Sequence, residues 1–313
     1  MQAEREGALN TEETTHRVKP ASVTRIEPRI GPLTRIRELL RYRELLGNLI
    51  RKELKVKYKN SALGFAWSLL NPLLYLVIFS IVLQEFLGAG LPAFPFYLLT
   101  GLLAWNLLSN GLAGATGSIV SNSNLVSKVY FPREILPAAS IGAAVVHYVL
   151  QLFVLVAAML LFGWFRHWDQ GMVLLPLALL VQLVLLVGLA LLMSSANVYM
   201  RDVQHLLELA LLAWFWMTPI VYASGWVQQN LMNKSPLMWA VYLQNPMAPI
   251  VMGYQRALYA RPELRAGDAH VLVNAPLEWY AKRLGWTGLV AVAILMVGWT
   301  AFRRLETRMA EEL

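Results

Sequence analysis

The chain has 313 residues, of which 57% are hydrophobic and only 15% are charged. A typical soluble domain carries about 45–50% apolar and about 25% charged residues, so this chain has more apolar surface than one water-soluble core of its size can bury. The composition excludes a soluble enzyme, a disordered chain and a collagen-like rod, and it predicts a membrane protein. The absence of cysteine excludes disulfides, thiolate zinc sites and cysteine nucleophiles.

The first 35 residues are polar and carry charges of both signs, which predicts a mobile cytoplasmic tail without a cleavable signal peptide. In residues 36–61, apolar side chains recur at spacings of three, four and seven and form one stripe of a helix. Basic side chains occupy much of the remaining surface, among them Arg41, Arg51, Lys52 and Lys55. Because such a helix beside a span suits anionic headgroups, we predict an amphipathic interface helix; a packed cytosolic helix with a solvated face is the alternative.

Six stretches are long and apolar enough to cross the hydrocarbon core, which takes about 20 helical residues each. They are residues 63–87, 94–120, 135–162, 172–193, 203–222 and 284–302. An even number places both termini on one side. The loops on that side carry 20 Lys and Arg residues and the opposite loops carry 7, so the positive-inside rule predicts cytoplasmic termini. We therefore predict an all-α membrane protein with six transmembrane helices in residues 62–305 and a cytoplasmic C-terminus at 306–313.

Residues 223–283, between the last two predicted spans, contain short apolar pieces interrupted by Pro, Asn and charged residues. No piece is long enough to span, so they predict re-entrant or interfacial elements on the outer side. Non-helical backbone at membrane depth survives only against protein or a water-filled cavity. The outer half of the protein is therefore predicted to border a cavity.

The sequence lacks the motifs of nucleotide binding and hydrolysis: it has no GxxxxGK(S/T) phosphate loop, no HExxH pair and no GxSxG elbow. Its five histidines are dispersed, so we predict no metal site. Ionisable side chains are nearly absent from the predicted spans, which disfavours an ion-coupled secondary carrier. A membrane-embedded transferase would need a compact polar constellation. Asp202, His205 and Glu208 are the candidates, but a cap or ion pair at a helix start explains them more simply.

The loop after the second predicted span, about 121–133, combines a short apolar face with aromatic and cationic side chains, and Pro132 ends the element. Such a knob suits docking in a groove of a soluble partner, although a plain connector with basic anchors fits the composition equally well. The residues assigned to docking are Leu125, Val126, Lys128, Val129, Tyr130, Phe131 and Arg133.

The sequence LVSKVYFPREILP, residues 125–137, resembles the cytoplasmic coupling helix of ABC-2 type permeases that export polysaccharides such as O-antigen, capsule and teichoic acid. Three further stretches resemble that family in the same order along the chain. They are KYKNSALGFAWSLLNPLLY (57–75), NVYMRDV (197–203), and WFWMTPIVY (214–222) followed by LQNPMAPIVMGYQRAL (243–258). The resemblance extends from the interface helix to the last predicted span and leaves out residues 1–35.

The resemblance implies the ABC-2 exporter fold and a homodimer bound to two copies of a separate P-loop ATPase. That partner would hold ATP and Mg²⁺, and this chain would carry no cofactor and no catalytic residue. The coupling helix would transmit closure of the ATPase dimer to the spans, and a lipid-linked glycan would cross the bacterial cytoplasmic (inner) membrane at the dimer interface. Exporters of drugs or simple lipids share this topology and remain the nearest alternative. The positive charge lies mostly in residues 1–61, so it suits the cytoplasmic leaflet and requires no nucleic acid partner.

Aromatic residues of the spans are candidates for a glycan path, because flat rings suit the apolar faces of sugars. The candidates are Trp67, Tyr75, Tyr97, Trp105 and Trp216. Each of them taken alone is more often a packing or membrane-belt residue. We expect Trp67 and Trp105 to be the better path candidates and Trp216, near the outer end of its span, to be a belt residue.

Overall fold

The computed structural model describes residues 41–58, 91–259, 265–266 and 269–307, with isolated positions at 70, 73–74, 77–78, 81–82, 309 and 312. The predicted tail, 1–35, lies outside the described residues. Most of the first predicted span, 63–87, lies outside them as well, and so do Trp67 and Tyr75.

The described chain is mainly helical. Its helices are α1 (Arg43–Tyr58), α2 (Phe94–Ser121), α3 (Ser123–Lys128), α4 (Ile135–Leu161), α5 (Leu174–Tyr199), α6 (Asp202–Trp216), α7 (Ser224–Lys234), α8 (Pro236–Tyr242), α9 (Met247–Tyr254) and α10 (Leu277–Glu306). Two 3-10 turns, Trp164–His167 and Gln170–Val173, precede α5, and a π-helical turn, Gln255–Tyr259, continues α9. The strands β1 (Arg265–Ala266) and β2 (Ala269–His270) pair antiparallel, with Arg265 opposite His270.

The body of the protein is built from four long helices, in which α5 packs along both α10 and α2, and α2 packs along α4. The α5–α10 crossing is very close: a Cβ atom added to Gly298 would lie 2.1 Å from the carbonyl oxygen of Gly188. Small residues at such crossings let helix backbones approach each other in a membrane. The buried side chain of Gln182 on α5 donates a hydrogen bond to the carbonyl oxygen of Ala104 on α2, at 2.6 Å.

The chain crosses this body back and forth, so its connections collect at two ends. The near end contains α1, the loop 122–134, the α5–α6 turn and the C-terminal end of α10, which share one buried apolar cluster. The far end contains the loop 162–173 and the described residues 217–259, 265–266 and 269–276. There Phe96 at the start of α2 packs against Phe162, with ring centroids 6.2 Å apart.

Among the described residues, three helical stretches are long and apolar enough to cross a membrane: Ile135–Leu161, Gln170–Tyr199 and Leu277–Glu306. They confirm the prediction of a helical membrane protein, and the count of six spans stays a prediction. Helix α2 has 28 residues and coincides with the predicted second span. Helix α6 has only 15 residues, fewer than the roughly 20 that a span needs.

Residues 217–222 form turns, whereas we predicted them as the end of the fifth span. The physical reason is Pro219, which has no N–H to donate and which disfavours a helical conformation of the preceding residue, Thr218. In the segment predicted as re-entrant, 223–283, α7, α8 and α9 are each 11 residues or shorter. The predicted re-entrant depth of this segment stays a prediction.

Candidate functional site

The loop 122–134 at the near end is packed against the helix body. Val126 and Phe131 are buried in the same apolar cluster as Leu49 of α1, Ile119 of α2 and Phe302 of α10. Burying these side chains removes apolar surface from water and fixes the base of the loop. The base of the loop is therefore packed into the helix body.

Asn122 joins the end of α2 to the start of α3. Its side-chain Nδ2 donates to the carbonyl oxygen of Ser118 at 2.8 Å, and its own carbonyl oxygen accepts the N–H groups of Leu125 and Val126 at 2.9 and 3.1 Å. Lys52 of α1 donates to Asn122 Oδ1 at 2.6 Å. Asn122, through its side chain and its main-chain carbonyl, thus connects the predicted interface helix, the second predicted span and the predicted coupling helix.

Arg133 binds the C-terminal end of α10. Its guanidinium donates to the carbonyl oxygen of Glu306, and the hydroxyl of Tyr199 donates to the neighbouring carbonyl of Leu305 at 2.7 Å. The last carbonyls of a helix lack intrahelical partners and attract cations, so both contacts satisfy groups that the helix leaves open. Arg133 therefore ties the loop to the last helix.

The tip of the loop is exposed. Tyr130 is 91% exposed and Val129 is 51% exposed, and Lys128 is also at the surface. Of the seven residues that we assigned to docking, these three face solvent, Leu125 is half-buried, and Val126, Phe131 and Arg133 are engaged within the protein. The sequence could not separate the two groups, because the separation depends on packing against distant helices. Docking through the exposed tip stays a prediction.

Helix α1 lies against α4, where a Cβ atom on Gly142 would come within 2.5 Å of Ile50 Cδ1. Arg41, Arg51 and Lys55 are exposed, as an interface helix requires of its basic face. Their predicted position among lipid headgroups stays a prediction.

The described aromatic candidates for the substrate path differ in exposure. Tyr97 is fully buried and its hydroxyl donates to the carbonyl oxygen of Tyr222 at 2.7 Å. Trp105 is 7% exposed and meets Trp214 and Phe215 edge to face, at centroid distances of 6.2 and 5.6 Å. Trp216 is 54% exposed. Tyr97 and Trp105 thus pack inside the subunit, and the path assignment stays a prediction.

The far end contains an ion pair that our sequence reasoning missed. Both carboxylate oxygens of Asp169 accept hydrogen bonds at 2.8 Å from the guanidinium of Arg256, which is 7% exposed. The two residues are 87 positions apart. The available signal was a lone acid in the aromatic loop WFRHWD and a lone Arg in the apolar stretch after Pro249. Two opposite charges in apolar surroundings on the same side of a membrane protein are candidates for a pair.

The three polar residues considered for a transferase, Asp202, His205 and Glu208, are exposed along α6. Within the residues that the structure describes, no group of three or more His, Cys, Asp or Glu side chains could hold a metal ion. The described chain thus offers these residues no enclosed site in which to act on a substrate.

The family model described as "ABC-2 type transporter" matches residues 44–258, more than half of the chain. The chain belongs to the ABC-2 transporter family. The match confirms the resemblance drawn from the four ordered motifs. As an ABC-2 permease, the chain is a transport component of a membrane complex, and the family implies that a separate subunit supplies the ATPase.

Three curated relatives align with this ABC-2 permease over most of their length. The "O-antigen export system permease protein RfbA" of Myxococcus xanthus is 32% identical over 254 residues, which are 80% of this chain and 94% of the relative. Two proteins of the same name from Klebsiella pneumoniae are 26% and 25% identical over 273 residues, which are 86% of this chain and 95% of each relative.

Proposed function

We propose that this chain is the membrane-spanning subunit of an ATP-driven exporter that moves a lipid-linked polysaccharide of the O-antigen type across the bacterial cytoplasmic membrane. One observation carries the proposal: the chain aligns over 80–86% of its own length with three permeases named for O-antigen export. The family match at residues 44–258 includes loops at both ends of the helix body, where a partner and a substrate would bind.

The proposed topology has six spans with both termini in the cytoplasm, so that the near end faces the cytoplasm and the far end faces outward. The distribution of Lys and Arg supports this orientation, with 20 on the proposed cytoplasmic side and 7 on the other. Arg201 in the α5–α6 turn, and Arg303 and Arg304 at the end of α10, belong to the near end.

The exposed tip of the loop, Lys128, Val129 and Tyr130, is the proposed docking surface for two copies of a P-loop ATPase that hold ATP and Mg²⁺. An exposed aromatic ring beside an apolar and a cationic side chain is the composition of an interface anchor. The base of the loop is buried and tied to α1 and α10, so a displacement of the tip would be passed to the helices. This arrangement supports a coupling role for the loop.

Helix α6 supports the proposed homodimer. Leu206, Leu209 and Leu212 are 61–66% exposed and form one stripe with Trp216 at spacings of three and four. Within the described chain, the buried residues of α6 are Leu207 and Leu211. The stripe is the proposed contact with a second copy of the chain, and it places Trp216 beside the proposed glycan path.

Deletion of the gene in its host tests the function. We expect loss of the surface polysaccharide and accumulation of the lipid-linked glycan inside the cell, with both effects reversed by the plasmid-borne chain. A matched control supplies the chain together with a partner ATPase that is inactivated in its phosphate loop, which should not restore export. Unchanged surface polysaccharide with altered sensitivity to drugs would contradict the proposal and favour the exporter of drugs or simple lipids.

A further inference from the structure

The far-end segment, residues 247–259, is buried along its whole length. Its last five residues form the π-helical turn Gln255–Tyr259, a rare geometry that often occurs at functional sites. The carbonyl groups at the end of such a helix have no partner within it and need donors from elsewhere.

The loop 162–173 between α4 and α5 supplies these donors. The indole Nε1 of Trp168 donates to the carbonyl oxygen of Leu258 at 2.8 Å, and that of Trp164 donates to the next carbonyl, of Tyr259. The rings of Trp164 and Tyr259 also stack, with centroids 5.7 Å apart and planes at 27°. The loop thus caps the end of the far-end segment.

The ion pair of Asp169 and Arg256 fixes the same junction. Asp169 Oδ1 also accepts a hydrogen bond from the N–H of Gly171 at 2.8 Å. This bond orients the carboxylate towards the guanidinium of Arg256. A Cβ atom on Gly171 would lie 2.3 Å from Arg256 Nη1, so a larger residue there would require the guanidinium to shift from its place on Asp169. Bidentate pairing of this kind specifies an orientation as well as supplying energy.

The π-turn also contacts the turn that follows α6. Gln255 Nε2 donates to the carbonyl oxygen of Pro219 at 2.8 Å, in a buried position. Helix α6 itself is largely exposed, whereas α4 and α5, which carry the loop 162–173, pack in the body. The π-turn therefore lies between a well-packed part of the protein and a helix with few contacts in the described chain.

Arg256 is 7% exposed and Asp169 is 24% exposed, so the pair is largely removed from water. Such a pair is weak support for a purely stabilising role, because removing charges from water costs about as much as their attraction returns. Two well-packed apolar residues would serve stability equally well. We propose that Asp169 and Arg256 are positioning residues, the far-end clamp, which hold the far-end segment against the α4–α5 loop so that α6 moves against a fixed wall during export. The last step rests on the proposed function, and the clamp itself does not.

Replacing both charged residues by apolar ones, D169L/R256M, separates positioning from stability. The variant and the native chain are purified with the partner ATPase. Four quantities are measured: Tm, recovery of the ATPase, hydrogen exchange of the peptides covering 247–259, and surface polysaccharide in a deletion host. The matched control is E278A/K282A, which removes an exposed ion pair of α10 that lies 3.6 Å apart.

For D169L/R256M we expect native ATPase recovery and a Tm lowered by no more than about 2–4 °C, because D169L also removes the acceptor of the Gly171 N–H. We expect about tenfold faster exchange in residues 255–259 and about tenfold less exported polysaccharide per ATP hydrolysed. The control should match the native chain in all four. Native export or native exchange in the double variant would overturn the proposal. If the double variant is not recovered, R256K is tested instead, because it keeps the positive charge and removes the bidentate geometry. Native exchange and export in R256K would overturn the proposal. Faster exchange with reduced export would support it.

Hydrogen exchange needs no substrate, so it separates the two proposals. Faster exchange in the clamp variant, together with a native chain that restores no polysaccharide, would support the clamp and contradict the proposed cargo. Native exchange in the variant, together with a native chain that restores export, would contradict the clamp alone.

Discussion

Lys52 of α1 donates a hydrogen bond to Asn122, the residue between α2 and α3, across a distance of 2.6 Å. Asn122 is 7% exposed, and its side-chain Nδ2 donates a second hydrogen bond to the carbonyl oxygen of Ser118. A movement of α3 would therefore be transmitted to α1 as well as to α2. The contact therefore links the predicted interface helix directly to the predicted coupling helix.

The variant K52M tests this connection. Because the aliphatic stem of Lys52 is kept and its ammonium group is lost, we expect unchanged ATPase recovery and a loss of stability of about 1–2 kcal/mol, since Asn122 Oδ1 loses its donor. Export per ATP hydrolysed should fall about fivefold, since the loop would move without α1. The matched control is K55M, on the same helix and also exposed. Equal losses in K52M and K55M would attribute the effect to the charge of α1 instead.

We expect opposite effects from alanine substitutions at two adjacent aromatic residues of the loop 122–134. Y130A removes a side chain that is 91% exposed, so Tm should stay unchanged while recovery of the ATPase falls. F131A removes a side chain that is 6% exposed and should lower stability by about 3–5 kcal/mol. Thermal unfolding and co-purification measure the two effects. Full ATPase recovery with Y130A would show that the tip is not the docking surface.

A second copy of the chain at α6 is testable by cross-linking, because the chain has no cysteine of its own. We expect the variant L209C to give a covalent dimer with a short thiol-specific cross-linker in native membranes. The control is F153C on α4, where the side chain is 72% exposed, compared with 66% for Leu209. A dimer band of equal strength for F153C would contradict the assignment of the α6 stripe to the dimer contact.

The glycines of α10 give a matched pair for stability. A methyl group on Gly298 would meet the carbonyl oxygen of Gly188, so G298A should destabilise the protein by about 1–3 kcal/mol. A Cβ atom on Gly285 meets no described atom within 4 Å, so G285A should stabilise it by about 0.5–1 kcal/mol, as alanine does in a helix. Thermal unfolding in detergent measures both. A native Tm for G298A would mean that the two helices separate at little cost.

Hydrophobic period and length predicted much of the fold from the sequence alone. The predicted second and third spans agree with α2 and α4 to within one residue at each end, because an unbroken apolar run and flanking Pro or Gly specify such helices locally. The fifth was predicted too long, since the apolar run continues past Pro219 while the helix does not. The prediction followed the length and apolar character of the run and gave too little weight to the local effect of Pro219 on the helix end.

Some features of the functional residues could likewise be predicted from the sequence, and others could not. The loop at 121–133 was recognisable from its motif, whereas the exposure of Tyr130 and the burial of Phe131 depend on contacts with α1 and α10. The pair of Asp169 and Arg256 joins residues 87 positions apart and leaves no periodic trace in the sequence. Local patterns predict helices, but the contacts between their ends are set by tertiary packing.

The contact between Gly188 and Gly298 has a consequence for how this protein can evolve. Each backbone occupies the space that a side chain on the other would need, because a Cβ on Gly188 would lie 2.7 Å from the backbone of Leu295. A substitution at either position therefore forces the two helices apart at the crossing. Descendants of this sequence should keep both glycines, or replace both together with a new set of neighbours around the crossing.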